Sequence, residues 1–230
     1  MSAFLLSLSA SVSSFMKTSR HHTLQDQTYE TLRQWLTIGR FVPGERIKIR
    51  HVAAELGVGE MPVRSALQRL AAESALVNVP NCGVTVPRLS KEQFDDVLRV
   101  RLILEGQAAE LGTPHLSARD LATLEKLNDE MERALRTTDA KGYLDANEAF
   151  HLILYRAAGS PLLLELIETV WLQVGPISNL LFGDAQFAGT LNDAHDELLN
   201  AAKARDAAGV RRAIEHDLSH AARCLRAQCL

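Results

Sequence analysis

Aromatic residues are scarce in this chain, at 5% of 230 residues. Sheet-rich domains draw on aromatic and β-branched side chains, whereas the abundant Ala and Leu here favour helices. Cysteine is also sparse. Cys82, Cys224 and Cys229 are odd in number, scattered, and without metal-site spacing. That pattern excludes a disulfide framework and suits reduced thiols in a cytoplasmic protein. No run reaches the roughly 18 apolar residues that a membrane helix needs. The opening MSAFLLSLSASVSS lacks the basic n-region of a signal peptide. Residues 1–24 therefore read as a disordered tail or an over-long start, with Met16 as an alternative initiator. There is no Walker loop, no GxGxxG, and no Ser or Cys nucleophile constellation.

Charge is weak overall, at a formal −3, which gives no general nucleic-acid signature. Its distribution is more informative. From Thr28 to Ser90 there are eight basic and five acidic residues, and the remainder carries 17 against 23. A mildly basic segment followed by an acidic body suits a binding module joined to a regulatory domain.

The hydrophobic pattern divides the chain at Pro87 to Lys91. Residues 25–90 read as a small binding domain and 91–230 as a helical one. In the first, Tyr29, Leu32, Leu36 and Ile38 predict a helix ending near Gly39, and Pro43-Gly44 turns the chain. Ile49 to Leu56 is a second helix, stopped by Gly57. A third runs from about Glu60 to Ser74, with Val63, Ala66, Leu67 and Leu70 facing inward. ALVNV and VTVPRL, separated by Pro80 to Gly83, predict a hairpin. Beyond Ser90 every segment reads as helix: 91–111, 118–136, 140–158, one opening at Ser160-Pro161 and interrupted at Gly175-Pro176, then 191–204 and 207–227.

Helix, helix, turn, helix, hairpin is the order of a winged helix-turn-helix. A DNA major groove about 12 Å wide admits one helix whose exposed side chains reach base edges. Glu60, Arg64 and Gln68 recur every four residues opposite the buried face. Arg64 has the fork for guanine and Gln68 the amide for adenine. Arg50 suits a phosphate, and Gly83 lets a hairpin tip lie against the backbone. The same order also suits a small helical domain with no DNA role.

The residues TLRQWLTIGRFVPGERI, VAAELGV, PVRSALQRLAAESALV and NCGVTV resemble the GntR family of bacterial transcription regulators. The resemblance covers nearly all of 28–90. It implies DNA contacts from Arg50, Arg64 and the wing near Asn81 and Gly83. Two departures stand out. Gly59-Glu60 replaces the family's Ser or Thr followed by Arg, and Ser74 replaces a Gly after the third helix. Glu60 has two readings: it accepts from cytosine N4 and alters base preference, or it favours the positive helix end. Four residues ahead of Arg64, it is also spaced to pair with that cation.

In the acidic body, His151, His195 and His216 fall on three separate helices, with Asn147 one turn before His151. Three imidazoles and one oxygen suit Zn²⁺, Ni²⁺ or a similar divalent ion, although a lone histidine on a helix is more often a capped or surface residue. FDDVLRVRLILEG, NEAFHLILYRAAGSPLL, AHDELLNAAKARD and RRAIEHDL resemble the FCD effector domain of the FadR-type GntR subfamily. The resemblance runs from about Phe94 to Leu218. It implies an all-helical antiparallel bundle with metal ligands Asn147, His151, His195 and His216. Asn147 stands where Asp is commonest, so a charge is missing. Arg101 matches an arginine facing the ligand cavity, and Glu105, one turn on, offers it an ion pair instead. His220 reads as a surface residue.

Together these give a mainly α protein, with an N-terminal winged helix-turn-helix and a C-terminal antiparallel bundle. The expectation is a homodimeric, cytoplasmic transcription regulator on a palindromic operator in double-stranded DNA, binding a divalent metal and a small organic acid. A metal-only sensor and a metal-dependent helical enzyme carrying a DNA-binding module are the alternatives.

Overall fold

The computed structural model describes residues 23–80, 82–183 and 190–230. The tail reading therefore lies outside the described residues up to position 22, and Asn81 does too. Helix α1 spans Leu24–Thr37. Thr23 opens it, accepting from the Asp26 amide while Asp26 accepts from the Thr23 amide, each at 3.1 Å. This reciprocal cap satisfies two backbone donors that have no partner within the helix. α2 is Ile49–Leu56, closed by Gly57 at φ 65°, and α3 is Glu60–Ala72. Strands β1 (Val77–Val79) and β2 (Gly83–Thr85) pair antiparallel, with Val79 opposite Gly83. Leu32, Leu36, Val63, Leu67 and Leu70 are at most 1% exposed and form the centre of this unit.

The remaining helices are α4 (Lys91–Gly112), α5 (Ala118–Thr137), α6 (Ala140–Ala157), α7 (Pro161–Ser178), α8 (Asp193–Lys203) and α9 (Ala207–Arg226). Ser90, Ser117, Asp139 and Asp206 cap α4, α5, α6 and α9 through their side chains, so the sequence breaks the bundle at the predicted points. α4 packs on α9, α6 and α7, α5 on α6 and α8, and α8 on α9. Their shared core includes Phe150, Leu154, Ile167, Leu198 and Ile214.

One expectation is corrected. Gly175-Pro176 does not interrupt α7, which continues to Ser178 before a 3₁₀ turn at Asn179–Gly183. Pro176 removes one backbone donor only in the last turn, and burial of Trp171, Leu172, Val174 and Ile177 holds the helix on course. Gly175 serves packing instead. A Cβ there would stand 2.6 Å from Thr37 Cα and closer still to the Leu36 carbonyl oxygen. α1 thus lies directly against α7. Leu172 joins the N-terminal core, Ile38 joins the C-terminal one, and Arg33 Nη1 donates to Glu168 Oε2 at 3.0 Å across the seam.

Candidate nucleic-acid interface and metal centre

α3 buries Val63, Ala66, Leu67 and Leu70 and exposes Glu60, Arg64 and Gln68, the face expected for a reading helix. Gly59 caps it without a side-chain hydrogen bond, so Glu60 is the acidic group in its first turn. Glu60 pairs with Arg50 rather than Arg64: Arg50 Nε donates to Glu60 Oε1 at 3.2 Å. The Arg50 side chain remains 90% exposed. Gly83 takes φ 82° at the exposed hairpin tip, a left-handed conformation that suits glycine. Arg46, bridged to Thr85, carries its guanidinium close to that glycine. Sequence reasoning passed over Arg46, because only the tertiary β-bridge brings it to the wing.

In the bundle, Asn147 and His151 on α6 meet His195 on α8. His195 Nε2 lies 2.9 Å from Asn147 Oδ1 and 3.2 Å from His151 Nε2. The fourth expected ligand is corrected. His216 is exposed, with Nδ1 3.0 Å from Glu197 Oε2, and takes no part. Its neighbour Asp217 turns inward instead, with Oδ2 3.5 Å from His151 Nε2. One residue along a helix is about 100° of rotation. Position 217 continues the buried stripe of Val210, Ala213 and Ile214, whereas 216 leaves it. That stripe is the signal in the sequence that favours Asp217 over the His216 implied by the family resemblance.

Neighbouring groups fix the proton positions. His195 Nδ1 faces the Leu191 carbonyl oxygen at 3.3 Å, which only accepts, so Nδ1 carries the hydrogen. Tyr155 donates to Glu105 at 2.9 Å, leaving its oxygen to accept from His151 Nδ1 at 3.2 Å. Burial pushes the His151 pKa down to about 3, offset in part by Asp217, so its imidazole is neutral. His151 Nε2 then presents a lone pair, as do Asn147 Oδ1 and Asp217 Oδ2, and His195 Nε2 lies within hydrogen-bond distance of the first two. The ligand atoms of His151, His195 and Asp217 all lie within 4.8 Å of one another. Bonds of about 2.0–2.1 Å to a tetrahedral or octahedral ion imply neighbouring donors about 2.8–3.4 Å apart. The closest separations here fit that spacing, and the donor set of two imidazoles, one carboxylate and one amide oxygen suits a divalent cation.

Arg101 pairs with buried Glu105 through Nε at 2.6 Å and Nη2 at 3.4 Å. It also lines a cavity of about 80 Å³ with Asn147, His151 and Asp217. Arg101 thus makes the ion pair with Glu105 and also faces the cavity. Glu105 links Arg101 to Tyr155 and so to the imidazole of His151. His220 is half-buried and lies 2.8 Å from Thr190 Oγ1.

Residues 24–86 match the model of bacterial regulatory proteins, gntR family, and residues 96–220 match the FCD domain. The HTH-type transcriptional regulator McbR of Escherichia coli K12 is 34% identical over 84% of this chain and 88% of its own. The solved structure of E. coli McbR/YncC covers 90% of this chain and 98% of that one, with a TM-score of 0.84 and 32% identity. An HTH-type regulator of Bacillus subtilis, YdhC, is 30% identical over 63% of this chain and 65% of its own. No helix among the described residues is long and apolar enough to cross a membrane.

Proposed function

The chain belongs to the gntR family of bacterial regulatory proteins, as a transcription regulator with an FCD domain, and from that premise we propose that it is a metal-dependent sensor of a small carboxylate. The observation that carries this reading is the convergence of four groups able to ligate a metal, Asn147, His151, His195 and Asp217, of which all but His195 line the Arg101 cavity. Asp217 supplies the charge that Asn147 lacks. A bound metal supplies a Lewis acid for a carboxylate oxygen. Arg101, whose guanidinium has five N–H donors and engages Glu105 with two nitrogens, offers a charge-matched contact to the same group.

On DNA, Arg64 and Gln68 read bases from α3, while Arg50, Arg46 and the wing at Asn81 and Gly83 hold the backbone. Glu60 orients Arg50. A homodimer presenting two such helices recognises a palindromic operator. Its support is a stripe along α4, where Val100, Ile103 and Leu111 are 37%, 64% and 46% exposed. The ligand changes DNA affinity by favouring one separation of the two reading helices.

The test is thermal denaturation of metal-loaded protein against a panel of small organic acids, for wild type and His195→Ala. Stabilisation of the wild type alone is expected. An acid that stabilises both equally sinks the carboxylate-on-metal reading. A switch in operator affinity on metal addition alone assigns the protein as a metal sensor.

A further inference from the structure

Beyond Asn147, His151, Asp217 and Arg101, the carboxylate cavity is lined mostly by apolar side chains, among them Leu144, Val174, Leu181, Leu191, Leu218 and Leu225. The hydroxyls that border it are occupied by the main chain. Tyr143 donates to the Leu191 carbonyl at 3.1 Å, Thr37 to that of Arg33 at 3.2 Å and Ser178 to that of Val174 at 3.2 Å. Their protons are thus not offered to a ligand. Past Arg101 the apolar lining continues. A void of about 10 Å³ shares Arg101, Val174, Leu218, Ala221 and Leu225 with the cavity and is closed by Phe94, Leu98 and Ala222. Arg101 is the sole polar residue among its described lining residues, and the guanidinium turns Nε and Nη2 to Glu105. The stem of an arginine side chain is itself apolar surface.

Charge and size narrow the ligand further. Among the described residues, Arg101 is the only Lys or Arg lining either space. Glu148, which also lines the cavity, brings no positive charge in either protonation state. One carboxylate engages Arg101, and a second would be buried with no cation of its own, which is strongly unfavourable. An apolar void of about 150 Å³ holds benzene, so a space of about 80 Å³ admits a chain of only a few carbons. Building on the carboxylate-on-metal reading, we infer that the effector is a short monocarboxylic acid with an apolar tail. Its carboxylate lies beside Asn147, His151, Asp217 and Arg101, and its tail lies along Val174, Leu218 and Leu225 toward Phe94 and Leu98. The tail then touches α4, α7 and α9 together. Phe94 stands one turn into α4, the helix that follows the wing, so tail length bears on the joint between the two domains.

The test titrates zinc-loaded full-length protein by calorimetry with the straight-chain acids from acetate to hexanoate, and with succinate and glutarate. Affinity should rise about fourfold per added methylene, reach an optimum and fall beyond it. Succinate should bind at least about tenfold more weakly than butyrate. Leu98→Ala opens the far end of the space and should move the optimum about one or two carbons longer. Ala222→Val fills the same end and should move the optimum shorter. A folding defect lowers all affinities together, so the position of the optimum still reads out in whichever variant folds. Affinity independent of chain length, or succinate binding as tightly as butyrate, overturns the apolar tail and leaves the carboxylate-on-metal reading standing. An optimum unmoved in both variants overturns the placement of the tail toward Phe94 and Leu98. If no acid of either series binds while zinc does, the carboxylate reading fails, and the tail assignment with it.

Discussion

Arg50 Nε lies 3.2 Å from Glu60 Oε1, linking the start of α2 to the first turn of α3. The pair resolves the oddity of an acid at the tip of a reading helix. Glu60 is engaged with a neighbouring cation and complements the helix dipole. A role as a cytosine acceptor would fall to its second oxygen, since Oε1 is taken by Arg50. Since Arg50 is 90% exposed, the pair is solvated and weak, and a phosphate competes for the same guanidinium. Glu60→Gln should leave the preferred operator unchanged. It should tighten binding at low salt and steepen the dependence of log K on log salt by up to about 0.9 per freed arginine. Operator selection followed by titration at several salt concentrations checks this. A changed preferred base would return Glu60 to base reading.

The metal centre separates two adjacent residues. Asp217→Ala removes the only carboxylate in the donor set, while His216→Ala removes an exposed side chain bonded to Glu197. Loss of Asp217 should weaken zinc or nickel binding at least tenfold, by analogy with the cost of altering ligand supports. Loss of His216 should leave it within a factor of two or so. Competition with a chromogenic chelator reads both. A large loss in His216→Ala would reinstate the ligand set expected from sequence.

This pair of neighbours also marks where the sequence was legible. Helix existence and order followed from periodicity and local stop signals: the helices begin close to the expected positions, several behind a capping Ser or Asp such as Ser117 and Asp206, and Gly57 ends α2 at φ 65°. These are local properties, written within a few residues. What escaped notice depended on the third dimension. Arg46 reaches the wing through a β-bridge from a segment distant in sequence. Gly175 looked like a helix breaker because its neighbour is proline, yet its lack of a side chain answers to α1, over 130 residues earlier in the chain. For Arg101 the sequence could not show that a guanidinium has enough donors to pair with Glu105 and face a cavity together.

Tyr29 supplies a pH signature for the DNA-binding unit. Its hydroxyl donates to Glu73 Oε2 at 2.6 Å, and the Arg69 guanidinium lies 3.6 Å from its ring centre, tying α1 to the end of α3. Burial, then the hydrogen bond and charge of Glu73, raise its pKa from 10.0 to about 12. The folded state thus keeps a proton that the unfolded chain releases first. The contribution is whole below pH 10 and is lost as pH rises from there through 12. Tyr29→Phe should cost about 1.5–3 kcal/mol near neutrality, the worth of a hydrogen bond to a charged acceptor. It should also soften the alkaline decline. Urea melts of both proteins at pH 8 and pH 11 test this, and a variant with the wild type's full alkaline loss would refute the assignment.

Ser74 closes α3 at φ 61°, a left-handed conformation in which a side chain is strained. Its amide bonds back to the Ala71 carbonyl, and those of Ala75 and Leu76 both reach Leu70, so the conformation is enforced by the helix end. Glycine accepts this geometry without strain, at some entropic cost in the unfolded chain. Ser74→Gly should therefore raise stability by about 0.5–1 kcal/mol, seen as a higher urea midpoint with an unchanged slope. Gly57 offers the mirror experiment. It ends α2 at φ 65°, and a Cβ there would meet nothing within 4 Å, so Gly57→Ser tests backbone strain free of any clash. It should destabilise by about 1 kcal/mol. If Ser74→Gly is neutral while Gly57→Ser is costly, the Ser74 side chain contributes an interaction that offsets its strain.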